Sequence, residues 1–234
     1  MSSDKTAIRD AATVVVLRDR SHDPKVLMGQ RGAQAAFMPN KFVFPGGAVD
    51  SADADVGLAS SIAAPCAQRL AQDCAQDISH ALSVAAIREL WEETGLILGA
   101  PGDWPGQPHA DWTGFAARTM RPAAAHLQFI FRAITPPGRP RRFDARFFML
   151  DADHIAGDLD DFSAASDELS HLQWVPLAKA RHEYDLPFIT EVVLAEVEAN
   201  LGDASPPASV PFFRNDDEAS LFLRLRGYAP RSDD

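Results

Sequence analysis

Arg88-Glu89-Leu90-Trp91-Glu92-Glu93-Thr94-Gly95 is the stretch that decides how the rest of this chain is read. Glu89, Glu92 and Glu93 stand at i, i+3 and i+4, which on a helix is one face. Gly95 follows at once, the residue type that closes helices in a left-handed conformation. The spacing therefore predicts three carboxylates crowded on the last turn of a helix. They repel one another there, and the helix dipole disfavours them. Local rules broken together in this way point to a functional demand. A hard divalent cation answers both conflicts, because it takes oxygen ligands and neutralises clustered charge. A solvated acidic helix end is the competing reading.

Upstream, the helix is expected to begin near Ser79, with Leu82, Ala85, Ala86, Ile87 and Leu90 on its apolar positions. From Ala54 the chain is rich in Ala, Leu, Gln and acids, so residues 54–87 are read as a mostly helical excursion, broken near Pro65 or Asp77-Ile78-Ser79. Further back, Thr13-Val14-Val15-Val16-Leu17 is a continuous β-branched run, expected as a buried strand over 12–18. Lys25–Gly29 makes a hairpin with it, and Phe42-Val43-Phe44 is a third strand that Pro45-Gly46-Gly47 stops.

Downstream, residues 99–109 read as loop, and strands are expected at 127–134, 147–150 and 172–175. An amphipathic helix is expected over 187–200. Residues 202–211 read as a linker, followed by a short helix near Glu218–Leu223. The domain organisation predicted is a flexible 1–10, one domain over 11–201, and a linker with a C-terminal appendage over 202–234. The fold class is α/β, a mixed sheet with helices on its faces.

The chain has 234 residues, 46% of them hydrophobic, enough to bury a sizeable core. Its net charge of -11 makes nucleic acid and anionic membrane surfaces poor partners. An anionic small molecule would need a metal ion or a local basic patch. The two cysteines, Cys66 and Cys74, are expected as free thiols. The first ten residues hold no apolar run of signal-peptide type, and no stretch reaches about 18 apolar residues. A cytoplasmic setting is the expectation, with a homodimer left open.

A second segment joins the first: Phe44-Pro45-Gly46-Gly47-Ala48-Val49-Asp50. Paired glycines after a strand permit close backbone approach, so a carbonyl can face a metal or a phosphate. Together the two segments resemble the signature of the Nudix hydrolases: Gly, five residues, Glu, seven residues, then Arg-Glu-aliphatic-x-Glu-Glu-x-Gly-aliphatic. The second half is complete from Arg88 to Leu96. The first half fits with Gly47 as the opening glycine, and Asp53 then stands where the family has glutamate. Residues 54–87 number 34 where the family has seven, an insert of 27. The segment 31–53 and Arg142-Phe143-Asp144-Ala145-Arg146-Phe147-Phe148 resemble a long-insert subgroup that includes coenzyme A diphosphatases of the peroxisomal type.

The resemblance implies a Nudix-type α/β/α sandwich whose signature is interrupted by a helical insert. It implies metal-dependent hydrolysis of the pyrophosphate of a nucleoside diphosphate linked to another moiety, coenzyme A or acyl-coenzyme A among the candidates. Nucleotide sugars, dinucleotides and NADH are alternatives, as is a Nudix module that binds a nucleotide without cutting it. Mg²⁺ or Mn²⁺ would be held by Glu89, Glu92, Glu93 and the Gly46 carbonyl, with Arg88 orienting a glutamate. A loop acid six residues before Trp174, Glu168, is a candidate base alongside Glu93, and Asp167 is the alternative. Among the cluster Arg139, Arg141, Arg142 and Arg146, the two that flank an apolar strand, Arg142 and Arg146, are taken with Arg31 as substrate-phosphate contacts. The histidines show no metal-ligand spacing; His80, His126 and His171 are taken as structural or exposed.

Overall fold

The computed structural model describes residues 7–35, 37–203, 205–215 and 220–227. Strand β1 (Ile8–Arg18) turns at Asp19 into β2 (Lys25–Arg31), pairing antiparallel through Leu17 and Val26. After β3 (Phe42–Val43) the chain comes back onto β1 as β4 (Gly46–Ala48), so Gly46-Gly47 continues the sheet rather than ending it. Helices α1 (Ala64–Ala71) and α2 (Ser79–Thr94) follow. Next come β5 (Gly99–Pro101), α3 (Thr113–Ala116) and β6 (Met120–Pro122), with β5 and β6 forming a small separate sheet. The remaining elements are β7 (Gln128–Ile134), β8 (Arg142–Asp151), β9 (Leu169–Pro176), α4 (Leu177–Glu183), α5 (Phe188–Ala199), β10 (Val210–Asn215) and β11 (Ser220–Leu225).

The main sheet runs β11-β10-β7-β8-β1-β2-β3, with β4 also on β1 and β9 also on β2. It is mixed: β1 is parallel to β8, and β10 to β7. The run Val14–Leu17 is continuous because β1 is covered on both faces. Val14 and Val16 face one core, with Leu82, Ala86 and Leu90 of α2. Val15 and Leu17 face a second core, with Val193, Leu194 and Val197 of α5. Helix, sheet and helix thus form the expected sandwich. No helix among the described residues is long and apolar enough to cross a membrane.

Several boundaries differ from the sequence reading. The insert is less helical than expected: α1 is short, Pro65 lies in its first turn where a missing N–H costs nothing, and the break falls at 72–78. Residues 8–10 open β1 by pairing with Arg142–Asp144, so the flexible N-terminus does not reach residue 10; residues 1–6 lie outside the described part. The C-terminal segment is not an appendage. Strand β10 joins the sheet beside β7, and Val210 and Phe212 are fully buried. Where a helix near 218–223 was expected, Ser220–Leu225 forms a strand antiparallel to β10, with Leu223 opposite Phe212; Glu218 lies outside the described residues. Cys66 and Cys74 are free thiols. His80 hydrogen-bonds the Val56 carbonyl, His126 stacks on His154, and His171 is exposed.

Candidate active site

Helix α2 ends as its sequence dictates. Gly95 takes φ 75° and donates its N–H to the Trp91 carbonyl. The last turn before it holds no basic residue. Its charge is met from the side by Arg88, which is only 4% exposed. Arg88 grips Asp53 with two parallel bonds, Nε to Oδ1 at 2.9 Å and Nη2 to Oδ2 at 3.0 Å. Its Nη1 donates to Glu89 Oε1 at 2.8 Å and to Glu92 Oε2 at 2.9 Å, and its Nη2 also to the Ala48 carbonyl at 3.0 Å. Such bidentate charge-assisted bonds fix orientation as well as charge. Asp53 is buried and also accepts from the Asp50 N–H at 2.8 Å. It is therefore an anchoring partner of Arg88, while Asp50 lies on the cleft wall.

Strand β4 lies across the carboxylates. The Gly46 N–H donates to Glu93 Oε2 at 2.7 Å. A methyl group at Gly47 would collide with the Glu89 carboxylate, and one at Gly46 would meet the Ala12 carbonyl oxygen at 2.5 Å. The two glycines are thus needed for close approach. Glu93 is 2% exposed and makes no ion pair among the described residues. Burial, then repulsion from Glu89, pushes its carboxyl up to about 8. Burial pushes Glu89 up to about 7, with Arg88 pulling the other way. Glu92 is raised by burial as well.

The loop after β8 docks on this helix end. The Ser166 N–H donates to the Glu92 carbonyl at 2.7 Å, and Ala164 packs on Gly95. That docking puts Glu168 on the cleft wall; Asp167 is not part of the wall. Trp174 holds the far end of the loop, its Nε1 donating to the Leu159 carbonyl at 3.1 Å.

The cleft has two parts, of about 340 Å³ and about 330 Å³. The first is polar, faced by Glu89, Glu92, Gly46 and Arg9. The second contains Phe37 and Phe143, whose rings meet edge to face at 5.4 Å. Arg31, Arg141, Phe143 and Glu168 line both.

Two of the three arginines chosen from sequence are elsewhere. Arg142 is buried, donating to the Thr135 carbonyl at 3.0 Å and the Asn215 carbonyl at 3.1 Å, and so ties β10 to the start of β8. Arg146 is buried, paired with Asp10 and, at 3.2 Å, with Asp144. Neither lines the cleft. Along β8, residues 142, 144 and 146 are buried on one face while 143 and 145 lie on the other. The cleft takes the odd face, hence Phe143 and Arg141. Sequence reasoning missed Arg9, Phe37, Phe143 and Asp111 as cleft residues; the alternation along β8 was the available signal for Arg141 and Phe143.

Among the described residues no three His, Cys, Asp or Glu side chains converge as a ready metal cluster. Glu89 and Glu92 turn to Arg88, and Glu93 to Gly46. The donors still fit a hard divalent cation. They are all oxygens, and Glu93 is a buried carboxyl whose only hydrogen-bond partner among the described residues is one backbone N–H.

No protein-family model matches the chain. It is 28% identical over 178 residues, 71% of its length, to a protein of Caenorhabditis elegans described as a putative nudix hydrolase 7. It is 29% identical over 125 residues, 44% of its length, to the acyl-coenzyme A diphosphatase NUDT19 of Gallus gallus. The chain spans about half the length of the first, 51%, and 32% of the second. A solved NUDIX hydrolase from Alicyclobacillus acidocaldarius superposes with a TM-score of 0.61 at 28% identity, over 86% of this chain and 99% of that one. With the shared fold and both halves of the signature meeting at the Arg88–Asp53 pair, the chain is similar to the Nudix hydrolases in sequence, fold and site.

Proposed function

We propose that this chain hydrolyses a phosphoanhydride that joins a nucleoside diphosphate to another group. The observation that carries the reading is a single one. Glu89 and Glu92, clasped by an Arg88 that Asp53 anchors, open on the same cleft as Arg31 and Glu168, and Glu93 sits on the same helix turn, bonded to the Gly46 N–H.

Mg²⁺ or Mn²⁺, held by Glu89, Glu92, Glu93 and the Gly46 carbonyl, would neutralise phosphoryl oxygens and lower the pKa of a bound water. Arg88 holds Glu89 and Glu92 in place. Arg31 offers its guanidinium fork to a phosphoryl oxygen of the substrate. Glu168 takes the proton of the attacking water, with Glu93 as the other candidate. Electrostatic positioning of this kind leaves little covalent chemistry to the protein.

The moiety we favour is coenzyme A or an acyl derivative. The similarity to an acyl-coenzyme A diphosphatase supports it, as does a cleft with an aromatic compartment beside the charged one. Nucleotide sugars, dinucleotides and NADH fit the same charged compartment. A second reading, a module that binds a nucleotide without cutting it, is favoured by one observation, the lack of three converging metal-binding side chains among the described residues.

One experiment separates these readings. The protein is assayed in ¹⁸O-water, with Mg²⁺ and with Mn²⁺, on coenzyme A, acyl-coenzyme A, nucleotide sugars, dinucleotides and NADH. Label on a phosphate product is expected, most of all from the coenzyme A compounds. Label in a carboxylate would mean thioester cleavage and end the phosphorus-attack reading. Turnover of none, with the same compounds raising Tm, would establish the binding module.

A further inference from the structure

Four arginines line the cleft, and the hydrolysis argued above uses two of them. Of its four arginines, Arg88 is committed to Asp53, Glu89 and Glu92. Arg31 is the one whose charge acts on Glu93, at the reacting end. That leaves Arg9 and Arg141. Neither side chain makes a hydrogen bond or ion pair among the described residues, although Asp50, Asp111 and Glu168 line the same cavity. In a chain of net charge -11, an arginine near acids without a partner is unusual company.

Register brings the two together. β1 and β8 are parallel, with Arg9 beside Phe143 and Ile8 beside Arg142. Neighbouring strands lie about 4.8 Å apart, and residues two apart share a face. Arg9 and Phe143 therefore share one face at the adjoining starts of two strands, Arg141 stands in the bend one residue before β8, and all three line the cleft. An anion bound between the two guanidinium groups would offset any repulsion between them.

We propose that Arg9 and Arg141 form a clamp for a phosphate group of the substrate other than the scissile pyrophosphate. This rests on the hydrolase reading above and narrows its substrate to the phosphate-rich members. A phosphomonoester carries about -1.5 to -2 charges at pH 7, matching two guanidinium forks that each suit its oxygens. The extra phosphate could sit on the ribose or extend the phosphate chain, and the chemistry recognised is the same.

Two matched pairs of compounds distinguish these sources. Coenzyme A against 3′-dephospho-coenzyme A tests the ribose monoester. A dinucleoside tetraphosphate against the corresponding diphosphate tests the longer chain. Wild type should favour the phosphate-rich member of at least one pair by about 10-fold or more in kcat/KM. Arg9→Gln and Arg141→Gln should each erode that preference through KM, with kcat for both members kept within about threefold. No preference in either pair, or equal loss on rich and lean members, overturns the clamp. If nothing is turned over, equilibrium binding of the same four compounds replaces the rates. A preference lost in both variants would then keep the clamp while the hydrolase reading falls, and equal binding of rich and lean members would overturn the clamp.

Discussion

Glu93 concentrates the energetics of the site in one side chain. Its carboxyl is pushed up to about 8 and that of Glu89 to about 7, so the metal-free folded state holds protons that the unfolded state releases near pH 4.5. Where the folded state binds more protons, stability falls as pH rises. The Tm of metal-free protein is therefore expected to fall between about pH 5 and pH 8, and added Mg²⁺ to restore more of it at the upper end. Glu93→Gln should flatten that slope in thermal melts while lowering kcat at least about 100-fold. A metal-free Tm that climbs over this range would contradict the burial of these acids. At the loop, Glu168→Gln should depress kcat more than metal affinity, and Asp167→Asn should leave both near wild type. The opposite pattern would move the base to Asp167. The helix residues were legible in sequence because their positions violate local preference. The arginines were not, because a strand begun at Phe147 hides the alternation that starts at Arg142.

The insert is more a part of the core than its sequence suggests. Its α1 places Cys66 and Leu70 in the core with Phe129, and the Gln72 carbonyl accepts from Arg132 at 3.0 Å. Trimming residues 56–78 should therefore destabilise the fold before it alters substrate choice. The graded version is Leu70→Ala, expected to cost about 2–5 kcal/mol by urea titration. A trimmed chain with an unchanged Tm would show the insert to be dispensable. The start of α2 was legible, since the Ser79 N–H takes the Asp77 carboxylate at 2.8 Å, the turn chemistry its sequence advertises. β5 and β6 were not. Each has three residues, with glycine or proline among them, and each exists only through the other about 20 residues away.

Across the whole molecule, the C-terminal strands close the sheet on one side. Phe212 is fully buried, and Arg132 lies 4.2 Å from its ring centre. Phe212→Ala is expected to cost about 3–5 kcal/mol, read from denaturant melts. A cost near zero would make residues 210–225 the accessory that the sequence suggested. The sequence could not show this membership, because Leu221-Phe222-Leu223 is too short a run to separate strand from helix and β7 lies some 80 residues upstream. Strands β1 and β7 were plain by contrast, since their apolar runs are β-branched or aromatic. The Arg88–Asp53 pair has one more consequence, for descent. It ties a neck at which residues 54–87 leave and rejoin the signature, so the carboxylates are held whatever the length of the segment between. Lengthening such a loop from seven residues to 34 costs only about 1.4 kcal/mol of closure entropy, less than the burial of one leucine can return. A lineage can therefore let this segment out, as a tailor does a seam, while the carboxylates keep their stations; once α1 has joined the core, taking it in again forfeits the burial of Cys66 and Leu70.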